Sequence, residues 1–154
     1  MKTIHTEIEI NAPAEKVWGV LTDFAAFPSW NPFVRRIAGV PAVGERLRVF
    51  IQPQGSKGMG FTPLVLAATP NQELRWLGHL LLPGIFDGEH VFRIEALDAN
   101  RVRFVQEEHF RGFLVPLFAR SLEGGSRAGF EAMNQALKLR VEQSAVLGES
   151  AIKE

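Results

Sequence analysis

The sequence predicts an α+β fold in which a seven-stranded antiparallel sheet packs against a long C-terminal helix. Apolar and polar residues alternate along most of residues 33–110, which is the period of a half-buried strand. Short turn sequences separate these runs, and strands with short connections must be antiparallel. After Gly112 the apolar spacing changes to three or four residues, which is the period of a helix.

Composition limits the function classes before any motif is considered. The 154 residues, 46% of them hydrophobic, suit a single domain, which we expect to span residues 1–154. Basic and acidic side chains are equal at 17 each, which argues against nucleic acid or an anionic membrane as partner. The absence of Cys excludes disulfides and thiol chemistry. Twelve Phe and no Tyr indicate aromatic surface without phenol groups.

The chain begins with a strand over residues 3–10, followed by two short helices. Its apolar face consists of Ile4, Thr6, Ile8 and Ile10. Pro13 and Glu15 suit the first turn of a helix, where a missing N–H costs nothing and a carboxylate is favoured. Asp23 predicts the cap of a second, very short helix, which we expect Pro28 to end.

Six further strands follow, separated by turns rich in Gly, Pro and Asn. They are predicted at Phe33–Ala38, Glu45–Gln52, Phe61–Thr69, Glu73–Leu80, Phe86–Leu97 and Arg101–Phe110. The order of elements is therefore β-α-α-β-β-β-β-β-β-α.

The terminal helix is predicted to open at Pro116 and to run to about Leu147, where Gly148 is a natural stop. The interior pair Gly124-Gly125 should weaken or bend it, at about 1 kcal/mol per Gly relative to Ala. We expect an ordered core over residues 3–143, with the tail 148–154 outside it.

The hairpin of residues 86–110 carries the candidate site. A turn at residues 98–100 places three inward-facing pairs opposite one another: Ile94 with Phe104, Phe92 with Gln106, and His90 with Glu108. Opposed Cβ atoms lie about 5 Å apart, within hydrogen-bonding reach. The apolar face thus carries three polar groups, His90, Gln106 and Glu108.

Three interpretations of these polar groups remain open. They satisfy one another at the rim of the core, they anchor a polar substituent of a ligand in a pocket, or His90 and Glu108 form a general acid/base pair. Asp87 and Glu89 lie nearby, but alternation turns Glu89 away from His90. The sequence has no metal-ligand spacing, so we expect neither a metal nor another cofactor.

Two surface features have both a functional and a structural interpretation. Trp30 and Phe33 could line a portal at which Asn31 bonds a ligand, but an Asn before Pro more often holds a turn, which we favour. Arg35-Arg36, Arg46 and Arg48 could form a basic edge, although mixed charges nearby favour a solvated surface.

The order of elements and several motifs resemble the START-related, birch-pollen-allergen-like helix-grip superfamily (SRPBCC), in its polyketide cyclase/dehydrase and lipid-transport branch. The resemblance covers roughly residues 3–143. The motifs that carry it are Ala12-Pro13-Ala14-Glu15-Lys16-Val17-Trp18, Leu21-Thr22-Asp23-Phe24, Phe27-Pro28-Ser29-Trp30-Asn31-Pro32-Phe33, Glu73-Leu74-Arg75-Trp76, Gly88-Glu89-His90-Val91-Phe92 and Phe130-Glu131-Ala132-Met133-Asn134.

The resemblance implies a concave antiparallel sheet that grips the C-terminal helix and encloses a hydrophobic cavity, with the two short helices closing one end. Members of the superfamily bind lipids, sterols, polyketides, hormones or aromatic metabolites, and some are cyclases or hydrolases or help to activate a chaperone ATPase. No catalytic set is common to them. The tyrosines that several members use have no counterpart here.

Our preferred hypothesis is a non-enzymatic binding protein for a small apolar or amphipathic molecule, such as a lipid, polyketide or aromatic metabolite. The expected ligand-binding residues are Asn31, Phe61, Trp76, His90, Phe92, Phe104, Gln106, Glu108, Leu122, Phe130 and Met133. The alternatives are a cyclase/dehydratase-type enzyme that uses His90 and Glu108, and a protein-interaction module with a vestigial cavity. No signal peptide or membrane span is visible, so we expect a cytoplasmic location. The oligomeric state stays open, with a homodimer as one option.

Overall fold

The computed structural model describes residues 1–80 and 82–152, with side chains as far as Gln143. The α+β fold is confirmed, with short helices after the first strand and a long C-terminal helix. The strands are β1 Lys2–Ile10, β2 Val34–Ala38, β3 Arg48–Ile51, β4 Met59–Phe61, β5 Leu64–Thr69, β6 Glu73–Leu80, β7 Phe86–Asp98 and β8 Arg101–Arg111. The helices are α1 Ala14–Thr22, α2 Phe27–Trp30, α3 Val115–Ser121 and α4 Arg127–Ile152.

The strands form two antiparallel sheets, one of five strands in the order β1-β8-β7-β6-β5 and one of three in the order β2-β3-β4. The predicted strand Phe61–Thr69 is divided into β4 and β5, so the described residues contain eight strands rather than seven. Pro63 lies at the break. Proline has no N–H for the ladder, which explains why pairing stops there.

The short helices differ from the prediction in one respect. Residues Phe24–Ala26 form a 3₁₀ turn, and α2 follows it directly. Pro28 lies in the first turn of α2 and does not end a helix. The first turn tolerates proline because its N–H groups have no intrahelical acceptor.

The C-terminal helical region begins as predicted, with Pro116 in the first turn of α3. The Gly124-Gly125 pair lies in a π-helical turn, Leu122–Ser126, that joins α3 to α4 without a break. The predicted end near Gly148 is wrong, because α4 continues to Ile152. An interior glycine costs a helix only about 1 kcal/mol. The last two residues of the predicted tail, 153 and 154, lie outside the described residues.

One hydrophobic core joins both sheets to α4. It contains Val49 from the three-stranded sheet, Phe92 and Phe104 from the five-stranded sheet, and Phe130 and Leu137 from α4. All five side chains are at most 3% exposed. Helix α4 packs against β1, and its Phe130 contacts His90 of β7 and Gln106 of β8, so inward-facing residues of β7 and β8 lie between sheet and helix.

Candidate functional site

The predicted register of the β7–β8 hairpin is confirmed. Ile94 pairs with Phe104, Phe92 with Gln106, and His90 with Glu108. His90 and Gln106 are buried, at 3% and 0% exposure, while the Glu108 side chain keeps 18% of its surface exposed. Glu108 is therefore the member of this polar group that solvent reaches.

The three groups belong to a longer polar chain, which consists of Glu108, His90, Gln106, Asn134 and Thr6. Glu108 Oε2 lies 3.0 Å from His90 Nδ1, and Gln106 Oε1 lies 3.0 Å from His90 Nε2. Gln106 Nε2 donates to Asn134 Oδ1 at 2.7 Å, and Asn134 Nδ2 donates to Thr6 Oγ1 at 3.0 Å. The polar chain thus crosses from the sheet to α4 and back to β1.

The backbone of α4 fixes the direction of this polar chain. Gln106 Nε2 also donates to the carbonyl oxygen of Phe130 at 3.3 Å, and a carbonyl can only accept. The amide group of Gln106 must therefore face Phe130 and its oxygen must face His90. His90 consequently donates through Nε2–H, and its Nδ1 faces the carboxyl group of Glu108.

Aromatic rings enclose His90 on the remaining sides. Its ring stacks on Phe92 with centroids 4.1 Å apart, and Phe130 and Trp76 approach to 4.9 and 5.5 Å. The imidazole is therefore held in one orientation by packing as well as by its two hydrogen bonds. Only the Glu108 end of the polar chain is free to meet another molecule.

A pair of glycines lies beside Glu108 on the same face of the sheet. Gly78 and Gly88 are opposite each other in β6 and β7. A Cβ atom on Gly88 would lie 2.5 Å from Glu108 Oε1, and one on Gly78 would lie 3.1 Å from the Phe61 ring. The two glycines therefore create a depression that Glu108 and Phe61 cover. We did not predict it, although glycine inside a strand is a signal of close approach.

Most of the predicted lining residues are packed in the core. Trp76, Phe92, Phe104, Phe130 and Met133 are at most 2% exposed, whereas Phe61 and Leu122 are partly buried at its edge. The described residues also border two open surface cavities of about 700 and 410 Å³. Of the predicted lining residues, the larger cavity contacts Phe61 and the smaller contacts none.

Asn31 is not at a cavity mouth. It is completely buried, and its Oδ1 accepts hydrogen bonds from the backbone N–H groups of Phe33 and Val34, both at 2.9 Å. This is the structural role that the sequence favoured, since an Asn side chain often satisfies the backbone of its own turn.

Four exposed apolar side chains lie in the loops after β6 and β8 and on α3. This apolar tip consists of Leu82, Phe113, Leu117 and Phe118, which are 68%, 73%, 75% and 45% exposed. The N–H groups of Phe113 and Leu114 donate to the carbonyls of Gly84 and Ile85, so the loop after β6 and the loop after β8 form one unit.

Aromatic contacts connect the apolar tip to Glu108. Phe118 contacts Phe86, with ring centroids 6.1 Å apart, and Phe86 contacts Phe110 at 5.7 Å. A Cβ atom on Gly88 would touch both Phe110 and Glu108. A continuous apolar path therefore runs from the exposed tip to the outer end of the polar chain.

Hydrogen bonds to the side chain of Asp87 hold the loop that carries Leu82. His79 Nδ1 and Asp87 Oδ1 are 2.6 Å apart, and the N–H of Gly84 donates to both Asp87 oxygens. Burial raises the pKa of Asp87, but the hydrogen bonds from His79 and Gly84 outweigh it, so the pKa lies below its ordinary value. The ionised form of Asp87 is therefore favoured, and it holds the backbone of Gly84.

Within the described part of the chain, no group of side chains has the arrangement of a metal site. Glu89 pairs with Arg75 on the outer face, which is the direction that alternation predicts. None of the described helices combines the length and the apolar character needed to span a membrane.

Comparisons with known proteins place this geometry in a family. No curated protein matches the chain in sequence. Among solved structures, the Zhui aromatase/cyclase from Streptomyces sp. R1128 is similar, with a TM-score of 0.75, 19% identity and coverage of 94% of this chain and 95% of that one. A START superfamily protein from Mycobacterium smegmatis gives a TM-score of 0.69 and 21% identity, over 92% and 97% of the two chains.

A point mutant of norcoclaurine synthase from Thalictrum gives a TM-score of 0.72 and 15% identity, with 94% of this chain and 96% of that one covered. At these identities the likenesses establish the helix-grip fold alone. The family model described as polyketide cyclase/dehydrase and lipid transport matches residues 1–142. The chain therefore belongs to the polyketide cyclase/dehydrase and lipid transport family of the SRPBCC superfamily.

Proposed function

We propose that the protein binds a small amphipathic molecule between Glu108 and the apolar tip. The observation that carries the proposal is a polar chain that ends in one partly exposed carboxylate within an apolar wall. Ligand sites are mostly apolar, with a few polar groups that fix orientation. The inner face of β7 and β8 has this composition.

The apolar part of the ligand would pack on Phe86, Phe110 and Phe118. Burial of apolar surface supplies about 25 cal/mol per Å², so an aromatic or acyl group would gain most of its affinity there. A hydroxyl or amine group would bond to Glu108, and a hydrogen bond to a charged group is worth roughly 1.5–3 kcal/mol.

Space for the ligand would come from a rotation of Glu108. Its carboxylate covers Gly88, and it is the least buried member of the polar chain. The deeper predicted residues, Trp76, Phe92, Phe104, Phe130 and Met133, would then form the floor of the site, with Phe61 and Leu122 at its margins.

The test begins with native mass spectrometry of freshly purified protein, to find a molecule that co-purifies. Independently, 2-naphthol serves as a probe with one aromatic body and one hydroxyl donor, and its affinity is measured by calorimetry. We expect Glu108→Gln to weaken binding at least tenfold, and His90→Gln to weaken it less because His90 acts through Glu108. Glu131→Gln, an exposed position on α4, is the control. Equal affinity in all four proteins would refute the proposal.

An enzymatic role is a second candidate, favoured by the distance of 3.0 Å between His90 Nδ1 and Glu108 Oε2. An imidazole and a carboxylate at this distance form an acid/base pair. In this case a co-purified molecule would be converted on incubation, with a pH-dependent rate that His90→Gln abolishes. Recovery of the molecule unchanged at every pH would leave binding alone.

A further inference from the structure

Basic and acidic side chains are unevenly distributed along the sequence, although the net charge is zero. Between Asp23 and Glu73 there are five basic side chains, Arg35, Arg36, Arg46, Arg48 and Lys57, and one acidic side chain, Glu45. The remaining 12 basic and 16 acidic groups lie outside this segment. The nearby mixed charges that favoured a solvated edge are therefore missing from the segment itself.

These arginines differ from those of the five-stranded sheet in their partners. Arg75, Arg93 and Arg103 all pair with carboxylates. Among the residues whose side chains are described, no carboxylate pairs with the five basic groups of the segment: Arg35 and Arg46 donate to backbone carbonyls, and Arg36 lies over the Phe50 ring at 4.7 Å. Their positive charge is uncompensated.

Strand β3 and the residues just before it arrange this charge on one surface. Arg46, Arg48 and Phe50 alternate with the buried Leu47 and Val49, so they point outward together. Arg36 joins them because it is opposite Phe50. We call the outward-facing set Arg36, Arg46, Arg48 and Phe50 the basic face. The 700 Å³ cavity opens on it, with Arg36, Arg48 and Phe50 in its wall.

We propose that the basic face docks an extended acidic segment of a partner protein. Arg46 forms an isolated antiparallel bridge with Leu64 just before β3 and is two residues from Arg48. An extended chain places Cα atoms two residues apart at about 6.6–6.8 Å, and carboxylates at alternate positions of an extended peptide have the same spacing. Phe50 offers an apolar contact beside Arg48, and Arg36 can form a forked pair with a carboxylate.

Other anionic partners fit this surface less well. A small ligand is normally enclosed over most of its area, whereas this cavity is open to solvent. Nucleic acid and anionic membranes attract proteins with a basic surplus, and this chain has none. A short acidic segment interacts with the local charge only, because charges beyond about 10 Å are screened.

The experiment measures binding of a labelled ten-residue peptide with Glu at alternate positions, by fluorescence anisotropy at low salt. A peptide with Gln in place of Glu is the ligand control. We expect the double variant Arg36→Gln/Arg48→Gln to weaken binding at least tenfold. The control variant Lys16→Gln/Arg120→Gln removes the same charge from exposed positions elsewhere, and its affinity should stay within twofold of the parent protein's.

Amide chemical-shift mapping then locates the peptide. Changes confined to β2, β3, β4 and Arg46 would support the proposal. It would be overturned by equal weakening in both double variants, by shifts confined to other parts of the chain, or by the absence of binding at millimolar peptide. Binding of vesicles with anionic lipid or of a single-stranded oligonucleotide, while the acidic peptide stays unbound, would also overturn it.

Discussion

Gln106 connects the two sides of the polar chain. It accepts from His90 and donates to Asn134 and to the Phe130 carbonyl, with no exposed surface. Its amide can satisfy all three partners at once because it has both donors and an acceptor. No apolar side chain of similar size can do this.

We therefore expect Gln106→Leu to lower the free energy of unfolding by about 3 kcal/mol, since the buried polar groups left without partners cost about 1–3 kcal/mol each. Urea unfolding followed by circular dichroism measures the loss. Gln135→Leu, an exposed position beside Asn134, should change the free energy by less than about 0.5 kcal/mol. A loss below 1 kcal/mol for Gln106→Leu would show that the polar chain is not tightly formed.

Glu107 stabilises the folded state on the outer face of the sheet, as Gln106 does on the inner face. Burial raises the pKa of Glu107, but hydrogen bonds from His5 and Arg93 outweigh it, and its pKa lies below its ordinary value of 4.5. A carboxyl with a lowered pKa stabilises the folded state above its unfolded pKa, and this stabilisation is lost as the pH falls through the folded pKa.

The free energy of unfolding should accordingly fall as the pH drops below the ordinary pKa of 4.5. Glu107→Gln should lower it at pH 7 and flatten this part of the pH profile, because the variant has no carboxyl to protonate there. Glu131→Gln, on the exposed side of α4, is the control and should keep the parent slope. Identical slopes for Glu107→Gln and the parent would contradict the assignment.

At the scale of elements, the glycines of the C-terminal helical region have opposite roles. A Cβ atom on Gly124, in the π-helical turn, would meet nothing within 4 Å. A Cβ atom on Gly129, in α4, would overlap the ring of Phe33. Gly129 therefore permits close packing of α4 on residue 33, whereas Gly124 only lowers helix propensity.

We expect Gly124→Ala to raise the free energy of unfolding by about 0.5–1 kcal/mol, and Gly129→Ala to lower it by roughly 1–3 kcal/mol through overpacking. Thermal unfolding of the two variants, compared with the parent protein, measures whether each change in the free energy of unfolding is positive or negative. If Gly129→Ala were stabilising, Phe33 would have room to move and the contact would not limit the approach of α4.

The sequence predicts those features of each element that depend on local periodicity, such as the register of a hairpin. The turn at residues 98–100 and the alternation around it determine the β7–β8 register, including the position of His90 opposite Glu108. Asn134 was missed as a member of the polar chain because its partner Thr6 is 128 residues away. A signal existed, since Asn134 is a polar residue within the apolar stripe of Phe130, Met133 and Leu137.

The site of a cavity is harder to predict than its composition. Trp76 and Phe92 were expected to line a cavity, yet both are packed against His90 and border neither described cavity. Whether inward residues touch or leave space depends on the curvature of the sheet and on the distance to α4. Neither quantity has a local sequence signal.

At the scale of the whole molecule, the continuous core predicts cooperative unfolding. The hydrophobic cluster includes Val34 and Val49 of the three-stranded sheet together with Trp76 and Phe104 of the five-stranded sheet. Single domains of this size with one core usually unfold in a single transition. The two sheets should therefore lose their structure together.

Two single-tryptophan proteins test this expectation, one that keeps Trp76 in β6 and one that keeps Trp30 at the end of α2, with Phe at the other two tryptophan positions. Within each protein, urea unfolding followed by fluorescence and by circular dichroism should give the same m-value and the same midpoint. A fluorescence transition of Trp30 that precedes the loss of ellipticity would show that the three-stranded sheet unfolds separately.

The pairing of β1 with β8 has a consequence for folding during synthesis of the protein. Lys2–Ile10 is synthesised well before Arg101–Arg111, its neighbour in the five-stranded sheet. At about 5–20 residues per second on the ribosome, roughly 5–20 seconds pass before that partner is synthesised. During this interval the apolar face of Ile4, Ile8 and Ile10 lacks both β8 and α4, so the strand cannot complete its native contacts until these two elements have been synthesised.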